Sequence, residues 1–149
     1  MTGGTLLIGF GNPGRGDDGL GPAFARLIAA RQLPGLAIDI DYQLTVDHAL
    51  TISEAKTVVF ADAALDAEAP FYFRPMDGSV GEALGSHAVT PQAALALARL
   101  LFGAAPRGFI LGLRGARFGD MAEELSDVAL SSLDAAEPFF IDWYRSAAV

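Results

Sequence analysis

Apolar and polar positions alternate along this chain in two rhythms, one of strands and one of helices. Leu6 to Phe10 form a short apolar run of the kind that makes a buried strand. A glycine-rich turn follows, Gly11 to Gly19, and then Leu20, Phe24, Leu27 and Ile28 recur at helical spacing. Pro34 and Gly35 are expected to end that helix. Ile38, Ile40 and Tyr42 alternate with Asp39 and Asp41, which predicts a strand with one wet face near a sheet edge. His48 to Ala55 reads as a short helix. Thr57 to Ala61 is continuously apolar and β-branched at its start, as in an interior parallel strand. Phe71 to Arg74 predicts another short strand.

Thr90 is placed to cap a helix that has Pro91 at its first position and runs through Leu95, Leu97, Leu100 and Leu101. Its apolar residues cover most of the circumference, so deep burial is expected. Gly108 to Leu113 reads as a strand. Ser126 begins a C-terminal helix through Val128, Leu130 and Leu133, which Pro138 should kink or divide. Strands alternating with helices predict one α/β domain over residues 1–149, a three-layer α/β/α arrangement with a largely parallel twisted sheet covered on both faces. Ligands of such sheets bind outside the carboxyl ends of the strands.

Composition narrows the chemistry. A chain of 149 residues with 52% apolar content can bury a full core and is not a disordered polymer. The net charge of −8 argues against nucleic acid and anionic membrane as partners. There is no cysteine, so no disulfide, thiolate ligand or cysteine nucleophile, and only two histidines, His48 and His87. The N-terminus lacks the basic region of a secretory signal. The apolar stretch from Ala93 to Leu113 is interrupted by Arg99, Pro106 and Arg107, so no membrane span is expected. The expected location is cytoplasmic.

Three places fall at the ligand-binding edge. The first is Gly9-Phe10-Gly11-Asn12-Pro13-Gly14-Arg15-Gly16-Asp17-Asp18-Gly19-Leu20-Gly21. Its beginning fits G-x-G-x-x-G, the dinucleotide fingerprint. Asp17 and Asp18, however, put carboxylates where a pyrophosphate would need the positive helix end, and carboxylates suit a cation instead. Either acid could serve as a helix cap. The second place is Asp62, which ends the apolar run Val58 to Ala61; read locally, it is equally a solvated loop residue. The third is His87, in Gly85-Ser86-His87-Ala88 ahead of the Pro91 helix, where a surface-loop histidine is the bland alternative. His48 reads as a surface residue. Two carboxylates and an imidazole at one sheet edge form an O,O,N set with open positions, suited to a first-row divalent ion.

The GFGNPGRGDDGLG segment, the VVFADA strand and the SHAVTPQAALALARLL loop and helix resemble, in order and spacing, the three signature regions of the nickel–iron hydrogenase maturation endopeptidases. The similarity extends to LSDVALSSLDAA near the end. The resemblance implies a mostly parallel five-stranded sheet between helices. It implies an enzyme, a hydrolase that removes a C-terminal extension from the hydrogenase large-subunit precursor after nickel insertion. It also implies Asp18, Asp62 and His87 as catalytic residues and metal ligands. The metal would be nickel, that of the substrate hydrogenase, or another divalent ion in its place. Many relatives carry Asp-Gly-Gly after the second strand, where this chain has Asp41-Tyr42-Gln43-Leu44-Thr45. Some place the histidine after a Ser-Pro nearer Gln92; His87 keeps the spacing to the helix without a gap.

The chain has no HExxH motif and no G-x-S-x-G elbow. The substrate's own nickel is therefore the expected electrophile or recognition element. Two other readings compete: a nucleotide- or dinucleotide-binding domain built on GFGNPG, and a non-catalytic nickel-insertion checkpoint protein using the same residues.

Overall fold

The computed structural model describes residues 4–65, 67–76, 89–104, 106–118 and 124–147. His87 lies outside the described residues. Five strands, β1 (Gly4–Phe10), β2 (Leu36–Asp41), β3 (Ala55–Ala64), β4 (Phe71–Met76) and β5 (Arg107–Arg114), form one sheet in the order β2-β1-β3-β5-β4. All neighbours run parallel except β4, which pairs antiparallel with β5. Among the described residues four helices cover the sheet: α1 (Leu20–Ala29), α2 (His48–Ser53), α3 (Pro91–Phe102) and α4 (Asp127–Ala147).

The alternation of side chains along the strands divides the core in two. Leu7, Val59, Ala61, Leu111 and Leu113 face α1 and α4, where Phe24, Ile28, Leu133 and Phe140 meet them. Leu6, Ile8, Val58 and Phe60 face α2 and α3, against Ile52, Ala94, Leu95 and Ala98. Burying each large side chain contributes about 2 kcal/mol, so the two faces together set the three-layer arrangement that the sequence predicts. The polar alternation of β2 also marks an edge strand as expected: no residue of β2 is buried.

Four expectations need correction. The helix after the first motif ends at Ala29, not at Pro34; Gln32 at φ 52° turns the chain before the proline is reached. The α3 helix is capped by Thr90 Oγ1, which accepts from Ala93 N at 3.1 Å. Yet its burial falls on Ala93, Ala94, Leu95, Ala96 and Ala98, while Leu100, Leu101 and Phe102 are exposed. Four alanines and Leu95 make the buried contact, while the large residues of its last turn are exposed. The α4 helix runs unbroken through Pro138. The β3 strand does not stop at Ala61 but continues to Ala64, because β5 accompanies it that far after β1 has ended.

Candidate functional site

The ends of β1, β2, β3 and β5 point to one edge, and the glycine-rich turn lies across it. The turn leads through a short 3-10 helix, Asp17–Gly19, into α1. The start of α1 is pressed against the strand ends. A Cβ on Gly21 would strike the carbonyl oxygens of Phe10 and Ala61, so only glycine lets the helix approach this closely. Gly11 takes φ 145° beside the carbonyl of Asp18, a conformation that side chains rarely adopt.

The two adjacent acids have separate tasks. Asp17 is fully buried and does not cap α1. Its Oδ2 accepts from Ala116 N at 2.7 Å, Arg117 N at 2.9 Å and Ser126 Oγ at 2.6 Å, and its Oδ1 accepts from Ser126 N at 2.8 Å. Burial raises its pKa, but these donors outweigh burial and hold the carboxyl below its ordinary value. Asp17 therefore fastens the turn to the loop between β5 and α4. Ser126 in turn caps α4, accepting from Ala129 N at 3.1 Å.

Asp18 turns inward instead. Its Oδ2 accepts from Asn12 N at 2.9 Å, within its own turn. Its charge also reaches Asp62. Burial, and then the nearby Asp18 charge, push the Asp62 carboxyl up to about 7, with a hydrogen bond from the Ala63 backbone opposing them. Asp62 is thus not the solvated loop acid of the local alternative. It lies inside β3, in register with Gly112 of β5, which faces Tyr72 of β4. The Tyr72 ring occupies the space that a side chain at Gly112 would fill, and the Arg74 guanidinium lies 4.1 Å from the centre of that ring.

Of the three candidate residues, Asp18 lies near enough to Asp62 for its charge to raise the Asp62 pKa. A half-buried carboxyl held near neutrality by desolvation and a like charge is a group that an arriving cation would ionise. Two hard oxygen donors suit a divalent ion. Among the described residues no cluster of three or more His, Asp or Glu is arranged to hold a metal. The third member of the proposed set, His87, falls outside them. Val89, two positions later, packs into the core face shared by α2 and α3. That is the face to which Asp62 belongs by alternation with Val58 and Phe60.

His48 contradicts its expected surface position: it is 5% exposed. It is the first residue of α2, and its Nδ1 accepts from Thr45 N at 2.9 Å. The signal that could have found it was the Asp39-x-Asp41 face of β2, which needed a polar neighbour on the covering helix. Beside the turn, a cavity of about 190 Å³ is lined by Gly11, Pro13, Pro22, Arg26, Ile40, Asp41 and Tyr42. It borders the same edge but does not include Asp18 or Asp62.

No family model and no curated protein matches the chain. Solved structures do. The hydrogenase maturating endopeptidase HybD from Escherichia coli aligns with a TM-score of 0.74 at 16% identity, over 97% of this chain and 93% of that one. The nickel–iron hydrogenase maturation protease HycI from Thermococcus kodakarensis aligns with a TM-score of 0.73 at 20% identity, over 95% and 92%. A hydrogenase 2 maturation peptidase from a Thaumarchaeota archaeon aligns with a TM-score of 0.68 at 20% identity, over 93% and 96%. This chain shares their fold over nearly its whole length.

Proposed function

We propose that this chain is a maturation endopeptidase that removes the C-terminal extension of a nickel-loaded nickel–iron hydrogenase large-subunit precursor. Asp18, Asp62 and His87 grip the substrate's nickel, and that recognition licenses cleavage next to it. The observation that carries this reading is the Asp18–Asp62 pair at the strand-end edge, with Asp62 pushed up to about 7, in the fold of solved maturation endopeptidases. A pair of carboxylates that repel each other when empty is stabilised by a cation between them, so the site favours the nickel-loaded precursor over the empty one.

The dinucleotide reading is disfavoured by one contact. The Asn12 N–H, a donor that a phosphate would need, is taken by Asp18. A checkpoint protein would use the same residues to bind without cleaving. No helix among the described residues is long and apolar enough to cross a membrane, and action in the cytoplasm fits a substrate that is folded and metallated before use.

The test incubates the protein with nickel-loaded and nickel-free large-subunit precursor and follows loss of the extension by mass. Cleavage is expected only of the loaded form. It should fall by at least about 10²-fold in Asp18→Ala, Asp62→Ala and His87→Ala, the scale seen when one essential group is removed from a site. Binding of the loaded precursor without cleavage would favour the checkpoint role. Cleavage of both forms at equal rates would remove nickel from the mechanism.

A further inference from the structure

The face of the sheet that carries Asp62 has a built feature beside it. Residues paired in register point to the same face, so Asp62 on β3, Gly112 on β5 and Tyr72 on β4 form one row across three strands. It is the face of Val58, Phe60 and Ile110, the one that α2 and α3 cover. Of the aromatic run Phe71-Tyr72-Phe73, only Tyr72 belongs to this row. Phe71 and Phe73 turn to the other face, against Phe139 and Trp143. Neighbouring members of the row are about 4.8 Å apart, the spacing of paired strands.

Glycine in the middle of the row leaves a gap next to Asp62, and the Tyr72 side chain fills it. Its ring lies across Gly112 with the hydroxyl end leading. Cζ and Cε2 hold the place of a Cβ, and the hydroxyl oxygen stands 2.7 Å from that place. The ring thus crosses to β5, the strand that adjoins Asp62. Arg74, two residues on and on the same face, sets its guanidinium 4.1 Å from the ring centre. The Asp62 carboxyl responds to the Asp18 charge and not to that of Arg74, so the guanidinium acts on the ring. On the other side of Asp62 the pairing runs out. β1 accompanies β3 as far as Gly9 and Ala61, and Phe10 then leads into the turn that bears Asp18.

We propose that Tyr72 is a positioning residue for the site: it walls off the β5 side of Asp62, so that the carboxyl cannot fold over Gly112 and is held towards Asp18, with Arg74 keeping the ring in place. The proposal rests on the reading of Asp18 and Asp62 as carboxylates that take the substrate's nickel. Donors already held in place lose less freedom when the ion arrives than donors that must first be gathered. A tyrosine suits the task, because two torsions fix a large rigid wall. Gly112 is the other half of the device, since a side chain there would expel the ring.

Three-bond couplings from the Asp62 Cγ to its backbone nitrogen and carbonyl carbon read its χ1 in the metal-free ¹³C,¹⁵N-labelled protein. Wild type and Tyr72→Phe should show one rotamer, and Tyr72→Ala should show averaging among several. Arg74→Ala should show partial averaging; Arg74 is exposed, so this variant keeps the test open if Tyr72→Ala folds poorly. Asp39, on β2, is the control and should not change in any variant. With nickel-loaded precursor, Tyr72→Ala should lose about 10- to 100-fold in kcat/KM, the scale for removing a group that orients a metal ligand, and Tyr72→Phe should restore it. Unchanged Asp62 couplings in both Tyr72→Ala and Arg74→Ala, or averaging already present in wild type, would overturn the proposal, as would cleavage by Tyr72→Ala at the wild-type rate. A wild type that cleaves no precursor would defeat the proposed function instead. The couplings, read without metal or substrate, would still decide whether Tyr72 positions Asp62.

Discussion

Replacing Asp17 by asparagine tests how the first motif is held in place. Three donors converge on Oδ2 and one on Oδ1 of this fully buried carboxylate. Asparagine keeps one oxygen. If that oxygen takes the Oδ2 position, the new amide faces the Ser126 N–H, donor against donor. One buried donor left unsatisfied costs about 1–3 kcal/mol, and the remaining bonds lose the charge that strengthens them. The expected loss is about 3–5 kcal/mol, as for removal of one partner from a buried charged network. Urea unfolding reads it through Trp143, the single tryptophan, which packs on Phe73, Phe109 and Phe140. The sign with pH follows from the depressed pKa. Asp17 contributes stability at neutral pH that is lost as pH falls below the ordinary value of 3.8. The gap between wild type and Asp17→Asn should therefore close in acid. A loss below about 1 kcal/mol at pH 7, or a gap that widens in acid, would refute the clamp.

Three further outcomes follow from the same geometry. In the metal-free protein Asp62→Asn should be the more stable form at pH 8, by up to about 4 kcal/mol, and near parity below pH 4. The native carboxyl titrates at about 7, so wild-type stability from this group falls as pH rises from the ordinary 3.8 through 7, and thermal melts across that window check it. Gly21→Ala should cost about 1–3 kcal/mol or prevent folding, because its Cβ meets backbone carbonyls rather than yielding side chains. NAD and FAD should leave the melting temperature unchanged; saturable stabilisation by either would revive the dinucleotide reading.

The sheet was legible because its strands carry two different burial signatures. The unbroken apolar run at Val58 to Ala61 and the polar alternation at Asp39 and Asp41 marked an interior and an edge strand, which they are. Legibility failed where contacts are remote in sequence. Nothing near Asp17 announces that its donors are 99 to 109 residues away. His48 was missed for a nearer reason: Asp39 and Asp41, just ahead of it in the chain, were read as facing water and not as facing the helix that His48 begins. The position of Asp62 was readable from the apolar run before it. That β3 continues past it was not, since β5 sets that length.

Asp17 and Asp18 are neighbours of one chemical type, and the 3-10 turn explains why they differ. Successive residues in such a turn point about 120° apart, so Asp17 meets the β5–α4 loop while Asp18 meets Asn12 and the field of Asp62. Asp18→Asn should therefore be mild for the fold, at less than about 1 kcal/mol, because an amide oxygen can still accept from Asn12 N. Its effect should appear at Asp62. Burial is the larger cause of the raised Asp62 pKa and the Asp18 charge the smaller, so the variant should bring Asp62 down from about 7 without restoring the ordinary 3.8. Carboxyl ¹³C shifts followed through a pH titration measure this in the metal-free protein. An Asp62 midpoint that does not move would mean that the two carboxylates do not share a site, and the case for a cation held between them would fall with it.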